Sequence, residues 1–420
     1  MNLPIKCYAV NLSSRSDRCA SIKKEFTYKD NLNLKIQPAI SHHKGSISLW
    51  LSIKKIMEEV SNDDLIILCE DDHIFTSNYS FDILEKCIND ADRLDAEILS
   101  GGVSWFKTGI QISNNLFWVE KFSGLQFTVI YKRFYQKIVT AQFQEFDQAD
   151  YRISELAQKK FVIHPFISVQ KDFGYSDITK RNDEERIVEE LFQETSERFD
   201  LLKKVKIHYS GIKITDTCLE NSEAELISIL LHFIVEDNNQ FDLERLGNKG
   251  FTVSSIIIQG NRVLEKWKGL CCCIESAITN EDDFAIITFE KSIDISDSYS
   301  KINFIKSIIT SVTYGCELLL GNIEMFNHAV PITENLFWVD SFSSFSFIVV
   351  FAPVFEKILS ESPSGDECDI YEYLSYITSH KLALYPFITE VTGNTIKTGF
   401  QEKGGQLSVY QSVYQKYLKQ

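Results

Sequence analysis

Residues 115–123 read Asn-Leu-Phe-Trp-Val-Glu-Lys-Phe-Ser, and residues 335–343 repeat them as Asn-Leu-Phe-Trp-Val-Asp-Ser-Phe-Ser. The order of the surrounding segments repeats as well, at separations of 219 to 221 residues. The matched segments are residues 63–68 with 282–287, 99–102 with 319–322, Asp147 and Asp150 with Asp366 and Asp369, and 164–167 with 385–388. This period is too long for a solenoid unit, so it indicates a duplicated domain.

The length of 420 residues favours two or three domains, and the repeat narrows this number to two. We predict one domain over residues 1–203 and a second over residues 204–420. Residues 182–204 are predicted to form an acidic helix that ends the first copy and connects it to the second. Asn182 and Glu185 have the spacing of a capping box at its start.

The charge of the chain limits its partners. Lys and Arg number 43 against 59 Asp and Glu, which gives a formal net charge of −16. A chain this acidic is repelled by polyanions, so we expect no nucleic-acid partner and no anionic membrane surface, although a local basic groove stays open.

No apolar run approaches the roughly 18 residues that span a bilayer, and the first residues lack the basic and apolar regions of a signal peptide. Three of the ten cysteines, Cys271, Cys272 and Cys273, are adjacent, which suits neither a disulfide framework nor a CxxC zinc site. We therefore expect a cytoplasmic protein with reduced, mostly buried thiols and no transmembrane segment.

Short apolar segments alternate with amphipathic ones within each copy. The predicted strands of the first copy cover residues 5–11, 65–69, 96–99 and 127–131, and its predicted helices cover residues 46–60 and 81–91. This alternation predicts an α/β fold in each copy, with a mixed, mostly parallel sheet flanked by helices.

Three carboxylates, Glu70, Asp71 and Asp72, follow directly on the apolar segment 65–69 and precede His73. Ligands of open α/β sheets bind beyond the carboxyl ends of the strands. Adjacent carboxylates repel one another unless they are solvated or meet a cation, and oxygen ligands suit Mg²⁺ or Mn²⁺. These residues, the acidic tip, indicate a metal–diphosphate site; a solvated acidic turn is the alternative interpretation.

The acidic tip and the opening segment, residues 8–18 (Tyr-Ala-Val-Asn-Leu-Ser-Ser-Arg-Ser-Asp-Arg), together resemble glycosyltransferase family 25, which includes lipopolysaccharide and collagen galactosyltransferases. Members of that family open with an Asn-Leu…Arg…Arg segment and carry an acidic metal motif after a central strand. Residues 43–49 resemble the family's next helix start only loosely, because the expected Cys and His are absent. The resemblance covers about residues 5–180. It implies a GT-A-like, Rossmann-type domain that uses a nucleotide-activated sugar and a divalent metal.

The same resemblance implies roles for individual residues. These are Asp72 as the direct metal ligand, Glu70 and Asp71 as residues that orient or contact the donor, Asn11, Arg15 and Arg18 at the nucleotide, and Asp150 as the general base near the acceptor. The alternative for the opening segment is an ordinary capped, solvated loop.

Residues lost from the second copy are candidates for chemistry, whereas residues kept in both are candidates for scaffold. Residues 289–291 correspond to the acidic tip. Lys291 stands at the position of the metal ligand Asp72, and its positive charge excludes the same metal site. The opening signature has no counterpart at residues 207–211. The kept Trp118 and Trp338 are predicted to be core or turn anchors rather than sugar-binding platforms.

The segment 170–177 is also lost from the second copy, so Gln170, Ser176 and Asp177 become candidate donor-binding or catalytic residues. A polar turn is the alternative for this segment. Trp105 becomes Met325 and is a candidate acceptor-binding residue, with a core role as the alternative.

Asp150 is retained as Asp369, and a helix N-cap role would explain its presence in both copies. Asp172 and Asp177 are therefore alternative general bases.

Together these observations predict a metal-dependent glycosyltransferase in the first copy. We expect it to move a sugar, with inversion, from a nucleotide-sugar donor, UDP-linked, to a hydroxyl of a glycan, a lipid-linked glycan or another acceptor. The expected cofactor is Mn²⁺ or Mg²⁺.

The second copy is predicted to be degenerate and non-catalytic; recruiting the acceptor, stabilising the first copy and forming a homodimer stay open as its roles. The principal alternative function is a non-catalytic carbohydrate-binding or assembly protein built from two degenerate transferase-like domains. A metal-dependent phosphodiesterase or nucleotidyltransferase is a third candidate. No Walker A, GxGxxG, HExxH or GxSxG motif supports a different enzyme class.

Overall fold

The computed structural model describes residues 4–173, 187–213, 221–236, 242–260, 262–297, 299–323, 325–365, 369–390 and 401–419. The chain divides into two compact units, Met1–Lys203 and Lys204–Gln420. The boundary falls within a helix that runs from Ile187 to Ser210.

The first unit alternates strands and helices from its beginning. Its elements are β1 (Ile5–Asn11), α1 (Ser16–Glu25), β2 (Leu32–Pro38), α2 (Gly45–Glu59), β3 (Leu65–Glu70), β4 (His73–Phe75), α3 (Phe81–Arg93), β5 (Ile98–Ser100), β6 (Trp105–Phe106), β7 (Gly109–Gln111), β8 (Leu116–Val119), β9 (Phe122–Ser123), β10 (Phe127–Tyr131), α4 (Lys132–Thr140), α5 (Ala149–Leu156), β11 (Lys160–Ile163), β12 (Ser168–Gln170) and α6 (Ile187–Ser210).

Eight strands of the first unit form one mixed sheet in the order β2-β1-β3-β10-β5-β11-β8-β7. The pairings β1–β2, β1–β3 and β5–β11 are parallel, and only β10 and β8 run against the other six strands. Helices α2, α4 and α5 pack against one another beside this sheet. The expected α/β fold with a mostly parallel sheet is confirmed.

The second unit repeats this design. Its elements are α7 (Asn221–Leu226), β13 (Ile229–Val235), α8 (Leu243–Asn248), β14 (Phe251–Ile257), α9 (Val263–Thr279), β15 (Phe284–Thr288), β16 (Asp294–Ile295), α10 (Lys301–Thr313), β17 (Leu318–Leu320), β18 (Ala329–Pro331), β19 (Leu336–Val339), β20 (Ile348–Phe351), α11 (Phe355–Ser360), α12 (Ile370–Ile377), β21 (Lys381–Leu384), β22 (Thr389–Glu390) and α13 (Gln401–Tyr417). Its main sheet has the order β14-β13-β15-β20-β17-β21-β19-β18, which matches the first sheet strand for strand.

The repeated segment has the same structural role in both units. The side-chain amide of Asn115 donates to the carbonyl of His164 at 3.2 Å, and that of Asn335 donates to the carbonyl of Tyr385 at 3.2 Å. Trp118 and Trp338 are buried, as expected of core residues. The repeat is kept because it ties β8 to the end of β11, and β19 to the end of β21.

Strand register corrects one sequence assignment. Tyr8 pairs with Leu68 in the first sheet, and His232 pairs with Ile287 at the corresponding place in the second. The counterpart of β1 is therefore β13, and not residues 207–211, most of which continue helix α6. The separation of β1 from β13 is 224 residues and that of β2 from β14 is 219, because the second copy is five residues shorter between its first two strands.

Two further expectations concern thiols and hydrophobic length. The eight cysteines among the described residues are all free, and five of them are buried. Within the described part of the chain, no helix combines the length and the apolar character needed to cross a bilayer.

Candidate functional site

A cavity of about 900 Å³ opens in the first unit beyond the carboxyl ends of β1 and β3. Its walls come from the loops after β1, β3 and β12, from the starts of α2 and α5, and from the first turn of α6. Parallel strands present their carboxyl ends at one edge of the sheet, which is why the loops after β1 and β3 meet here. The three residues of the acidic tip line this cavity.

Asp71 is the buried centre of a polar network. Its Oδ2 accepts a hydrogen bond from the Asn11 side chain at 2.8 Å, and its Oδ1 accepts one from Arg18 Nη1 at 3.1 Å. Arg15 Nη1 lies 3.8 Å from the same Oδ1. Asn11 also donates to the Arg15 carbonyl at 3.2 Å, which folds the start of α1 over the acidic tip. The opening segment and the acidic tip thus form one cluster.

Arg18 also binds Asp72. Its Nη1 donates to Asp72 Oδ2 at 3.1 Å, so one buried guanidinium bridges two successive carboxylates. The guanidinium carbon lies 4.8 Å from the centroid of the Phe173 ring. Burial raises the pKa of Asp72 to about 6, although Arg18 and Arg15 act in the opposite direction.

Glu70 faces a strongly negative surrounding. Burial raises the pKa of its carboxyl well above the ordinary range, and the neighbouring carboxylates of Asp72, Asp150 and Asp71 raise it further. A hydrogen bond from the Leu125 backbone only partly opposes these effects. A bound cation would therefore strongly stabilise the ionised form of the Glu70 carboxyl.

His73 has a structural role in the core. Its Nδ1 lies 2.7 Å from Ser168 Oγ, and its ring packs against Phe26, Phe75 and Phe127. Burial lowers the pKa of His73 to about 3, so the ring is neutral and holds β4 beside β12.

Asp150 lines the same cavity, and its charge raises the pKa of Glu70. Its Oδ2 accepts hydrogen bonds from the Ser123 hydroxyl at 2.8 Å and from the Gly124 backbone at 3.1 Å. The helix N-cap of α5 is Gln148, so Asp150 lies one residue inside the helix and is not its cap.

Asp369 behaves differently, because it is the N-cap of α12 and accepts from the backbone N–H groups of Tyr371 and Glu372. The N-cap interpretation is right for Asp369 and wrong for Asp150. The two retained aspartates therefore have different roles.

The segment after β12 forms another wall. Gln170, Lys171, Asp172 and Phe173 all line the cavity. The Lys171 backbone donates to the Asp72 carbonyl at 2.7 Å, and its ammonium lies 4.9 Å from the Phe173 ring centroid. The predicted residues Ser176 and Asp177 lie outside the described residues.

Trp105 stands next to the cavity rather than in its wall. Its ring centroid lies 6.4 Å from that of Tyr151, which does line the cavity. The indole is 38% exposed, so the alternative of a core role is wrong.

The fit of a divalent cation depends on Asp72 and Glu70. Asp72 Oδ1 is buried and has no hydrogen-bond partner in the described structure. Among the described residues, no group of three or more His, Cys, Asp or Glu side chains is arranged to hold a metal ion. Mg²⁺ commonly takes only one or two protein carboxylates and completes its shell with substrate phosphates and water. Asp72 with Glu70 fits such a site, whereas a site formed by protein ligands alone does not fit.

The second unit has apolar residues at the positions of Glu70 and Asn11. Register between the sheets puts Phe289 at the position of Glu70 and Val235 at that of Asn11, and both are buried. Phe289 packs against Phe345 and Tyr371 at centroid distances of 5.8 and 6.0 Å. Lys291, at the position of Asp72, lies 3.9 Å from Glu236.

Sequence reasoning missed four residues of the site: Ser123, Gly124, Tyr151 and Lys171. A signal existed for two of them, because Tyr151 becomes the buried Ile370 and Lys171 falls in the segment that the second copy loses. Ser123 is kept in both copies, so the comparison of the copies hid its contact with Asp150.

No family model and no curated protein matches the sequence. Among solved structures, this chain is similar to UDP-glucose pyrophosphorylase complexed with UDP-glucose. The similarity covers 47% of this chain and 99% of the pyrophosphorylase chain, with 8% identity and a TM-score of 0.27. HddC from Yersinia pseudotuberculosis is similar over 46% of this chain and 78% of its own, with 13% identity and a TM-score of 0.25. Mannose-1-phosphate geranyltransferase from Thermus thermophilus is similar over 74% and 99%, with 7% identity and a TM-score of 0.22. Similarities this weak establish neither a shared fold nor a shared activity, and function has to be argued from the residues of the cavity.

Proposed function

We propose that the first unit is a glycosyltransferase that moves a sugar from a UDP-linked donor to a hydroxyl acceptor with inversion. The observation that carries this proposal is that one cavity brings together groups of two kinds of chemistry. Arg15, Arg18 and the acidic tip line it, and so does Asp150, which is held by a hydroxyl and an amide. A diphosphate and its cation suit the first group, and an acceptor hydroxyl suits Asp150.

The donor diphosphate is proposed to lie between the acidic tip and the segment after β12. Arg15 and Lys171 both line the cavity there and can donate hydrogen bonds to phosphate oxygens. Asp72, through its Oδ1, and Glu70 are the residues that would hold Mn²⁺ or Mg²⁺. When bound, the cation would neutralise charge on the departing diphosphate as a Lewis acid.

Asp150 is proposed as the general base. The bond between the donor's anomeric carbon and the diphosphate oxygen breaks with its electron pair leaving on the diphosphate. The acceptor oxygen forms the new bond to that carbon from the opposite face, and its proton passes to the carboxylate of Asp150. Ser123 and Gly124 fix the direction of that carboxylate.

The test is release of UDP from a panel of UDP-sugars, with and without Mn²⁺ and with simple glycosides as acceptors. Asp150→Asn keeps the shape of the side chain and removes the base, so we expect transfer to fall at least about a hundredfold. Asp72→Asn is expected to abolish the response to Mn²⁺ while the far-UV circular dichroism spectrum is kept.

The matched control is Asp369→Asn, which changes the retained aspartate of the second unit and should leave UDP release unchanged. Full transfer activity in both Asp72→Asn and Asp150→Asn would contradict the proposal.

A second candidate is a non-catalytic carbohydrate-binding module. It is favoured by Arg18, which already neutralises Asp71 and Asp72 without a metal. Calorimetry separates the two candidates. Binding of sugars without UDP release and without any effect of Mn²⁺ supports the module, and metal-dependent binding of UDP-sugars supports the enzyme.

A further inference from the structure

Two exposed aromatic rings frame Asp150. Trp105 and Tyr151 are 38% and 42% exposed, and their rings meet edge to face with centroids 6.4 Å apart. A single exposed aromatic residue is ordinary, but two in contact beside a cavity present a joint apolar surface to a ligand.

The backbone fixes both rings relative to Asp150. Trp105 pairs with Ser123 across the β6–β9 ladder, and the Ser123 hydroxyl donates to Asp150 at 2.8 Å. Tyr151 follows Asp150 on the first turn of α5. Tyr151 is therefore the neighbour of Asp150 in the chain, and Trp105 is connected to Asp150 through Ser123.

Helix α6 supports the same region. The Thr195 hydroxyl donates to the Ser104 carbonyl at 2.7 Å, next to Trp105. Val188 and Leu191 of α6 line the cavity together with Tyr151. The region around Asp150, the acceptor region, thus combines a carboxylate, two aromatic rings and aliphatic side chains.

The second unit lacks this arrangement. Met325 stands at the position of Trp105, and Ile370, at the position of Tyr151, is buried. Asp369 is retained there and serves as a helix cap. The aromatic pair therefore occurs where the aspartate faces a cavity and is absent where it caps a helix.

We propose that Trp105 and Tyr151 form an acceptor platform that binds the apolar C–H face of a pyranose ring. A pyranose has hydroxyls that can donate hydrogen bonds to Asp150 and a C–H face that an aromatic ring can cover. The acceptor region therefore matches both the polar and the apolar surface of the sugar. The assignment of that pyranose as the acceptor rests on the proposed function. The platform indicates that the acceptor is a sugar rather than a protein side chain.

Tryptophan fluorescence provides a direct test on the full chain. The other four tryptophans (Trp50, Trp118, Trp267 and Trp338) are buried, so acrylamide quenching reports mainly on Trp105. The probes are methyl glycosides of glucose, galactose and N-acetylglucosamine, together with lactose and maltose. We expect at least one probe to protect Trp105 from acrylamide saturably, and Trp105→Phe to remove the protected signal.

Variants of Tyr151 separate the platform from the donor site. Tyr151→Ala should weaken protection and raise the acceptor KM about tenfold, and Tyr151→Phe should restore both readings because it keeps the ring. The matched control is Tyr376→Ala, an exposed tyrosine of α12 in the second unit, which should change neither reading.

The outcomes distinguish the platform from the proposed function. If UDP-sugars are turned over but no glycoside protects Trp105, or if Tyr151→Ala leaves protection unchanged, the platform is wrong and the transferase stands. If glycosides protect Trp105 in a Tyr151-dependent manner but no UDP-sugar is ever turned over, the platform is supported and the transferase is wrong.

Discussion

Arg18 is the residue on which the acidic tip depends. Its guanidinium is buried and lies 3.1 Å from a carboxylate oxygen of both Asp71 and Asp72. Removing one partner of a buried ion pair leaves an uncompensated charge, which costs about 3–5 kcal/mol. The same bridge on the protein surface would contribute about 0–1 kcal/mol. Burial therefore makes Arg18 a structural residue as well as a part of the site.

We predict that Arg18→Met lowers the free energy of unfolding of the first unit by about 3–5 kcal/mol, because Asp71 and Asp72 lose the buried guanidinium that bridges them and Arg15 is 3.8 Å from Asp71. Hydrogen exchange of the β1 and β3 amides measures this change without requiring the whole chain to unfold in one step.

Two variants complete that experiment. Arg93→Met removes an exposed pair with Asp90 at 3.1 Å and should cost less than about 1 kcal/mol. Asp71→Asn combined with Arg18→Met should recover part of the loss. If Arg18→Met costs no more than Arg93→Met, the bridge has no structural role.

The site residues could be predicted only in part from the sequence. Asn11, Glu70 and Asp72 stand at the ends of strongly apolar strands, and strand ends are visible in a hydrophobic pattern. The contact between Ser123 and Asp150 was not predictable, because it depends on how β9 packs on α5 and not on any local pattern. A comparison of the two copies does not identify a residue that is kept in both for the fold and also belongs to the site.

At the scale of elements, strands and helices with a regular apolar period were predicted closely. The strand predicted over residues 5–11 is β1, and the helix predicted over residues 46–60 is α2, one residue earlier. The strand β13 was missed because the opening segment was compared with residues 207–211, whereas β13 begins at Ile229. Its position follows from pairing with β14 and with β15, and the pairing with β15 is a long-range interaction.

Helix α6 is joined to the core of the first unit by His164 and Phe199. His164 Nε2 lies 2.9 Å from Asp200 Oδ1, and Phe199 stacks on Phe106 at 4.1 Å. Chiefly because the ring is buried, the pKa of His164 is lowered below its ordinary value of 6.5, although Asp200 acts to raise it. The corresponding residue of the second unit is Tyr385, which has no imidazole ring.

We predict that α6 loses stability as the pH falls through about 6.5. The unfolded chain binds a proton at His164 below that pH more readily than the folded unit does, so the stability present above it is lost on acidification. His164→Tyr should reduce the difference in α6 amide protection between about pH 7.5 and about pH 5. Hydrogen exchange measures this difference. An equal pH dependence in wild type and variant would show that His164 is not the group responsible.

At the scale of the whole molecule, the duplication was the most reliable prediction, because a nine-residue segment recurred and the order of segments agreed. Two sheets with the same strand order confirm that the copies share a design. The sequence shows that the second copy lacks these polar residues. Whether it also lacks the site depends on which side chains occupy their positions. The structure shows that buried aromatic and aliphatic residues, Phe289 and Val235 among them, take those positions.

The two units should therefore differ in ligand binding, and the full chain should bind one donor molecule rather than two. A donor diphosphate cannot replace Phe289 without unpacking it from Phe345 and Tyr371, and Lys291 puts a positive charge where Asp72 would hold a cation. Calorimetric titration of the full chain with a UDP-sugar and Mn²⁺ should give one site per chain, and Asp72→Asn should remove it. Lys291→Ala should change neither the stoichiometry nor the rate of UDP release, because the ring of Phe289 still fills the position of Glu70. Two sites per chain, or a large loss of activity in Lys291→Ala, would show that the second unit takes part in the chemistry.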